Sequence, residues 1–202
     1  MSILTKIFQM REDRAATRAL AAQFDAAETA ISSSDVETVR KIAANTVFSQ
    51  RQITALVLKA IDRDDTGVFD AVLHGKNVKG NPNEMVRFHS PLMPDCPHHY
   101  SESSMLYLAI NSDKSNVAVA LATNPKTDIT KSGYSESSVY HSGGFLGGGG
   151  HTESNKETYP SPLERAREMN MTEVMVPLAR RTAEVKQKEA AALQKEARAL
   201  AP

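Results

Sequence analysis

Ser161-Pro162-Leu163-Glu164-Arg165-Ala166 reads as the opening of a helix. Serine is placed to cap the first free backbone N–H groups, and proline at the first helical position has no N–H to leave unpaired. The glutamate at the third position can reach back to the cap's own N–H. Met169-Asn170-Met171 then turns the chain and Thr172 begins a partner helix, so the stretch starts a helix pair. Pro177 falls inside that partner, where it removes a backbone hydrogen bond and is expected to kink it.

The same unit is visible three times upstream. Residues 11 to 31 carry Leu20, Phe24, Ala27 and Ile31 at helical spacing, and Ser34 with Glu37 suggests a capping box for a second helix bearing Val36, Val39 and Ala43. Ser49 and Gln52 repeat the capping pattern before Ile53, Leu56, Val57, Ala60 and Ile61; Asp62 to Asp65 turns, and Val68 to Leu73 forms a short partner helix. A third pair runs over Met105 to Ile110 and Val117 to Ala122, with the polar turn Asn111 to Ser115 between. Aligned on their turns, the pairs put Ala30, Ala60, Ala109 and Ala166 in equivalent places, where a small residue lets two helices approach closely. A helix pair that cannot bury its own apolar face needs stacked neighbours, so the pattern predicts a repeat architecture.

On these residues the chain resembles the ankyrin-repeat family, whose first helix reads Thr-Pro-Leu-His-x-Ala. Ser161 to Ala166, followed by Glu173-Val174-Met175 and Leu178, is the nearest match. Ser104 to Ala109, Val117 to Ala122 and the exit Asn124 to Ile129 look like a second full repeat, while the copies around Ala60 and Ala30 are degenerate. Leu56 and Met105 stand where that family has proline, and the usual glycine of the inter-helix turn is absent. The anchor alanines are 30, 49 and 57 residues apart, against about 33 for an ankyrin repeat. The resemblance therefore implies a mainly α, ankyrin-like solenoid of about four helix pairs over residues 1–181, with enlarged finger loops at about 74–103 and 123–160 standing side by side. The charged stretch 182–202 reads as a C-terminal helical extension, because its apolar face is only Ala190, Leu193, Ala197 and Leu200.

Composition sets the function classes. With 202 residues, 41% apolar and 24% charged, the chain fits one or two ordinary soluble domains. Twenty-four basic and twenty-four acidic residues leave no net field, so neither nucleic acid nor an anionic membrane is an expected partner. Cys96 is the only cysteine, and no signal-like or membrane-spanning apolar run is present, which leads us to expect a cytoplasmic protein. Delivery into a target cell without a cleavable signal is the alternative location.

All six histidines, with Cys96 and four tyrosines, fall in the two long connections. His89, Cys96, His98 and His99 match no structural-zinc spacing, and Gly143 to Gly150 lacks the Gly-Lys-Ser/Thr of a phosphate loop. No catalytic residue, metal ligand or cofactor is therefore expected. The resemblance implies a non-catalytic protein-binding scaffold or adaptor, with His89, His98, His99, Tyr100, Tyr134, Tyr140, His141, Phe145 and Leu146 as contact residues for a protein partner. A bacterial effector or toxin-neutralising protein using the same surface is the alternative, and an enzyme or metal-binding protein sited in the histidine-rich fingers ranks behind it.

Overall fold

The computed structural model describes the backbone of residues 3–75, 81–83, 85–89, 99–141 and 151–199, and side chains at 13–75, 81–83, 85–86, 101–136 and 155–196. Among these residues the chain is mainly helical, with eight helices and one small sheet. It divides into two units, Met1–Asn81 and Pro82–Pro202.

The first unit contains α1 (Ile3–Ser32), α2 (Val36–Asn45), α3 (Gln50–Arg63) and α4 (Thr66–Leu73). Helix α1 packs on α2 and α3, and α4 packs on α2 and α3, so the second pair stacks on the first. Their shared core includes Ile31, Val39, Leu56, Val57, Ala60 and Val68. Phe24 and Phe48 close one end edge to face at 6.1 Å.

The second unit runs hairpin, helix pair, hairpin, helix pair. Strands β1 (Met85–His89) and β2 (His99–Ser104) lead into α5 (Met105–Asn111) and α6 (Ser115–Thr123). Strands β3 (Gly133–His141) and β4 (His151–Thr158) lead into α7 (Pro162–Glu168) and α8 (Thr172–Ala199). Helix α5 packs on α7 and α6 on α8, around Leu106, Ile110, Val117, Leu121, Val174 and Leu178. Helix α8 passes through Pro177 and continues beyond 181 without interruption.

The four inter-helix turns share one backbone solution. Ser34, Asp64, Asp113 and Asn170 all lie in the left-handed region, with φ between 54° and 56°, and each stands four residues after one of the aligned alanines. The N–H groups of Asp35, Lys114 and Met171 donate to the carbonyls of Ala30, Ala109 and Ala166 at 2.8 to 2.9 Å, the bond that closes a Schellman motif. All four alanines are buried. Glycine usually fills the left-handed position, and short polar residues are the L-residues that tolerate it best. The turn is thus made without its glycine.

Capping follows the sequence with one correction. Ser49 with Gln52 and Ser161 with Glu164 form reciprocal capping boxes. The cap of α2 is Asp35 and not Ser34, whose left-handed backbone is committed to the preceding turn. The Thr38 N–H and hydroxyl both donate to the Asp35 carboxylate, at 3.1 and 2.6 Å.

Candidate interaction surface

Both long connections form hairpins, and the hairpins join. The sheet order is β1-β2-β3-β4, antiparallel throughout, with β2 paired to β3 from His99↔Ser137 to Ser103↔Gly133. Side chains alternate between the faces of a strand. One face therefore carries Arg87, His89, Tyr100, Glu102, Tyr134, Glu136, Tyr140 and Lys156 by register.

At the centre of that face the Tyr134 hydroxyl donates to Glu102 Oε2 at 3.3 Å, and Lys156 Nζ lies 3.7 Å from the centre of the Tyr134 ring. An anion, an aromatic ring and a cation from three adjacent strands thus form one group at the surface, with the Tyr134 hydroxyl bonded to the carboxylate and the ammonium over a face of its ring. The opposite face is tied to the helices. Tyr159 donates from its hydroxyl to the buried Ser101 Oγ at 2.9 Å, and its ring stacks on Tyr107 of α5 at 5.1 Å and 9°. Burial pushes the Tyr107 phenol above its ordinary pKa, so it stays neutral.

Gly133 permits the junction between hairpins. A Cβ there would lie 2.3 Å from the Glu102 carbonyl oxygen and 2.7 Å from Ser103 Oγ, distances no side chain accommodates. That close approach also encloses the Ser103 hydroxyl, which is buried and has no hydrogen-bond partner among the described residues. Ser104 links sheet to helix: its hydroxyl accepts from the Tyr107 N–H and donates to the Lys131 carbonyl at 2.6 Å, so one residue ends β2 and caps α5. Below the sheet, the Asn83 side chain donates to the Lys126 carbonyl and accepts from the Asp128 N–H. Arg181 of α8 donates to the carbonyls of Ala122 and Thr127, satisfying the end of α6.

Of the expected contact residues, Tyr134 is in this central group. His89, Tyr100, Tyr140, His99 and His141 are placed on strands, the first three on the Tyr134 face and the last two on the other. His98, Phe145 and Leu146 lie outside the described residues. Glu102, Lys156, Tyr107 and Tyr159 were not expected. A signal for Glu102 exists in the pentapeptide Tyr-Ser-Glu-Ser-Ser, which occurs at 100–104 and again at 134–138; Lys156, Tyr107 and Tyr159 lie outside both copies. The two copies pair head to tail about Ser101↔Ser135, which sets Tyr100 opposite Glu136 and Glu102 opposite Tyr134.

A second surface lies on the helices of the same unit. A groove of about 730 Å³ is lined by Val119, Thr123 and Pro125 on one side and by Val176, Pro177 and Arg180 of α8 on the other, with Val176 65% exposed. Among the residues with described side chains, no group of three or more His, Cys, Asp or Glu is placed to hold a metal ion. No helix among the described residues is long and apolar enough to cross a membrane. Comparison with known protein families, with characterised proteins and with solved structures finds no match.

Proposed function

We propose that the chain is a non-catalytic protein-binding scaffold of ankyrin-like helix pairs, acting in the cytoplasm, with the joined hairpins as its recognition surface. The supporting observation is the Glu102–Tyr134–Lys156 group on the face of a sheet whose other face is bonded to α5 through Tyr159. A rigid base under a polar, aromatic face suits protein recognition, since a tyrosine supplies contact area at little entropic cost and charged neighbours select the partner. The balanced total charge fits selection by local pattern and not by a long-range field.

The test uses the full chain and its Tyr134→Ala and Lys156→Glu variants as baits in cells of the source organism. The reading expects partners held by the parent chain to bind each variant with a loss of at least about 1 kcal/mol, the usual threshold for an interface residue that matters. The helical circular dichroism signal should be unchanged. Equal retention by all three baits would move the recognition surface to the α6–α8 groove, and no specific partner at all would refute the scaffold reading.

A further inference from the structure

Helix α8 leaves an apolar stripe uncovered beside the α6–α8 groove. Val176, Ala179 and Ala183 follow at spacings of three and four, so they lie along one line of the helix, and all three are exposed. Val176, 65% exposed, is also part of the groove wall. Alanine at two of the three positions lets a second helix approach to an interaxial distance of about 8 Å, the short end of the packing range.

Glu173 and Arg180, seven residues apart, flank the stripe on one side and line the same groove. Arg180 donates from Nε to Glu184 at 3.2 Å, and its side chain is 81% exposed. The Glu173 carboxylate has no hydrogen bond or ion pair among the described residues.

This pattern complements itself. A two-fold axis across a helix sets one residue against a second and the second against the first. Antiparallel pairing with Val176 against the partner's Ala179 also sets Glu173 beside the partner's Arg180, and symmetry forms each contact twice. Sliding one heptad along the stripe puts Arg180 against the partner's Arg180 and Val176 against the partner's Lys186. In a parallel pair like positions meet, and Glu173 stays about 10.5 Å along the axis from the nearest arginine of the seam. Charge thus selects one orientation and one register, as flanking charges do between paired helices.

We propose that this face of α8 binds a second copy of the chain, two α8 helices pairing antiparallel about a two-fold axis with Glu173 of each against the partner's Arg180. Val119 and Thr123 of α6 form the other wall of the groove. They widen the contact beyond a single helix, toward the roughly 800 Å² per partner that a stable dimer buries. The proposal stands independently of the scaffold reading, which places recognition on the hairpins.

The experiment follows the mass of the untagged full chain by sedimentation equilibrium over a range of concentrations. A monomer–dimer equilibrium is expected. Glu173→Arg and Arg180→Glu should each weaken the dimer by at least about tenfold, because symmetry turns one substitution into two repulsive contacts. Mixed one to one, these two variants should pair with each other more tightly than either pairs with itself, since each like-charge contact becomes an opposite-charge one. Val176→Asp should abolish pairing with parent and variant alike, and a chain ending after Lys186 should dimerise as the parent does. All the substituted positions are exposed, so the helical circular dichroism signal should not change. A chain still monomeric at about 0.1 mM would overturn the proposal and leave the groove to another occupant. A dimer indifferent to the single charge reversals, a mixture that fails to restore pairing, or a dimer lost on shortening after Lys186 would each overturn it as well.

Discussion

Asp113 carries a left-handed backbone, φ 56°, in an exposed turn where its N–H and that of Lys114 close the end of α5. An L-residue loses about 1–2 kcal/mol in that conformation, part of which aspartate recovers locally. Asp113→Gly should therefore raise stability by up to about 1 kcal/mol, less the entropy glycine loses on folding, read as a higher denaturant midpoint. Acid response is set at the same scale. The Val68 N–H holds the Asp65 carboxyl below its ordinary pKa against the opposing effect of burial, with help from the Ser34 hydroxyl, the Gly67 N–H and Arg63. Asp35, Asp128 and Glu164 are lowered likewise, chiefly by the hydroxyls of Thr38, Thr130 and Ser161. Folded pKa values below the unfolded ones mean that this stabilisation is complete above about pH 4, the unfolded carboxyl range, and is lost as pH falls through the lower folded values. Stability should fall below pH 4, and Asp65→Asn, which keeps a good cap and removes the titration, should make that fall shallower in a pH series of denaturant midpoints.

At the scale of elements, the join between hairpins rests on Gly133. Gly133→Ala would set a methyl group against the Glu102 carbonyl and the Ser103 backbone, both fixed in the ladder. It should cost about 1–3 kcal/mol, in the range of overpacking a closed site. Faster amide exchange should be confined to the β2–β3 ladder if α5 to α8 keep their own core. The helix pairs were legible because helical periodicity, serine caps and the four alanines all report local geometry. Strand pairing was much less so. His99 to Ser104 and Gly133 to His141 hold six serines among fifteen residues, set between aromatic, acidic and histidine residues, so neither face shows the apolar alternation that marks a half-buried strand. The partnership of Glu102 with Tyr134 joins residues 32 apart, a relation only the register reveals. Ser34 was misread as a cap because the four-residue serine and aspartate run offers two candidates, and only the left-handed φ at Ser34 tells them apart.

At the scale of the molecule, helix α8 does two jobs along its length. Its first half closes the core of the second unit: Val174 and Leu178 are fully buried, and Arg181 donates to the carbonyls at the end of α6. From Lys186 to Glu196 every residue is exposed, Leu193 at 66%. The sequence distinguishes the two halves by the thinning of the apolar stripe, but it shows no break in the chain at that point because Ala, Glu, Lys and Gln continue a helix whether or not it packs. Ending the chain after Lys186 should therefore leave the unfolding midpoint within about 0.5 kcal/mol of the parent, as expected for surface that touches nothing. Ending it after Pro177 removes Leu178 and Arg181 together; loss of a buried leucine alone costs about 2–5 kcal/mol, and the carbonyls of Ala122 and Thr127 lose their donors as well. Paired thermal melts of the two shortened chains distinguish these outcomes. Equal destabilisation by both would mean that the exposed half of α8 is packed in solution, and Leu193 would be the first residue to examine as its anchor.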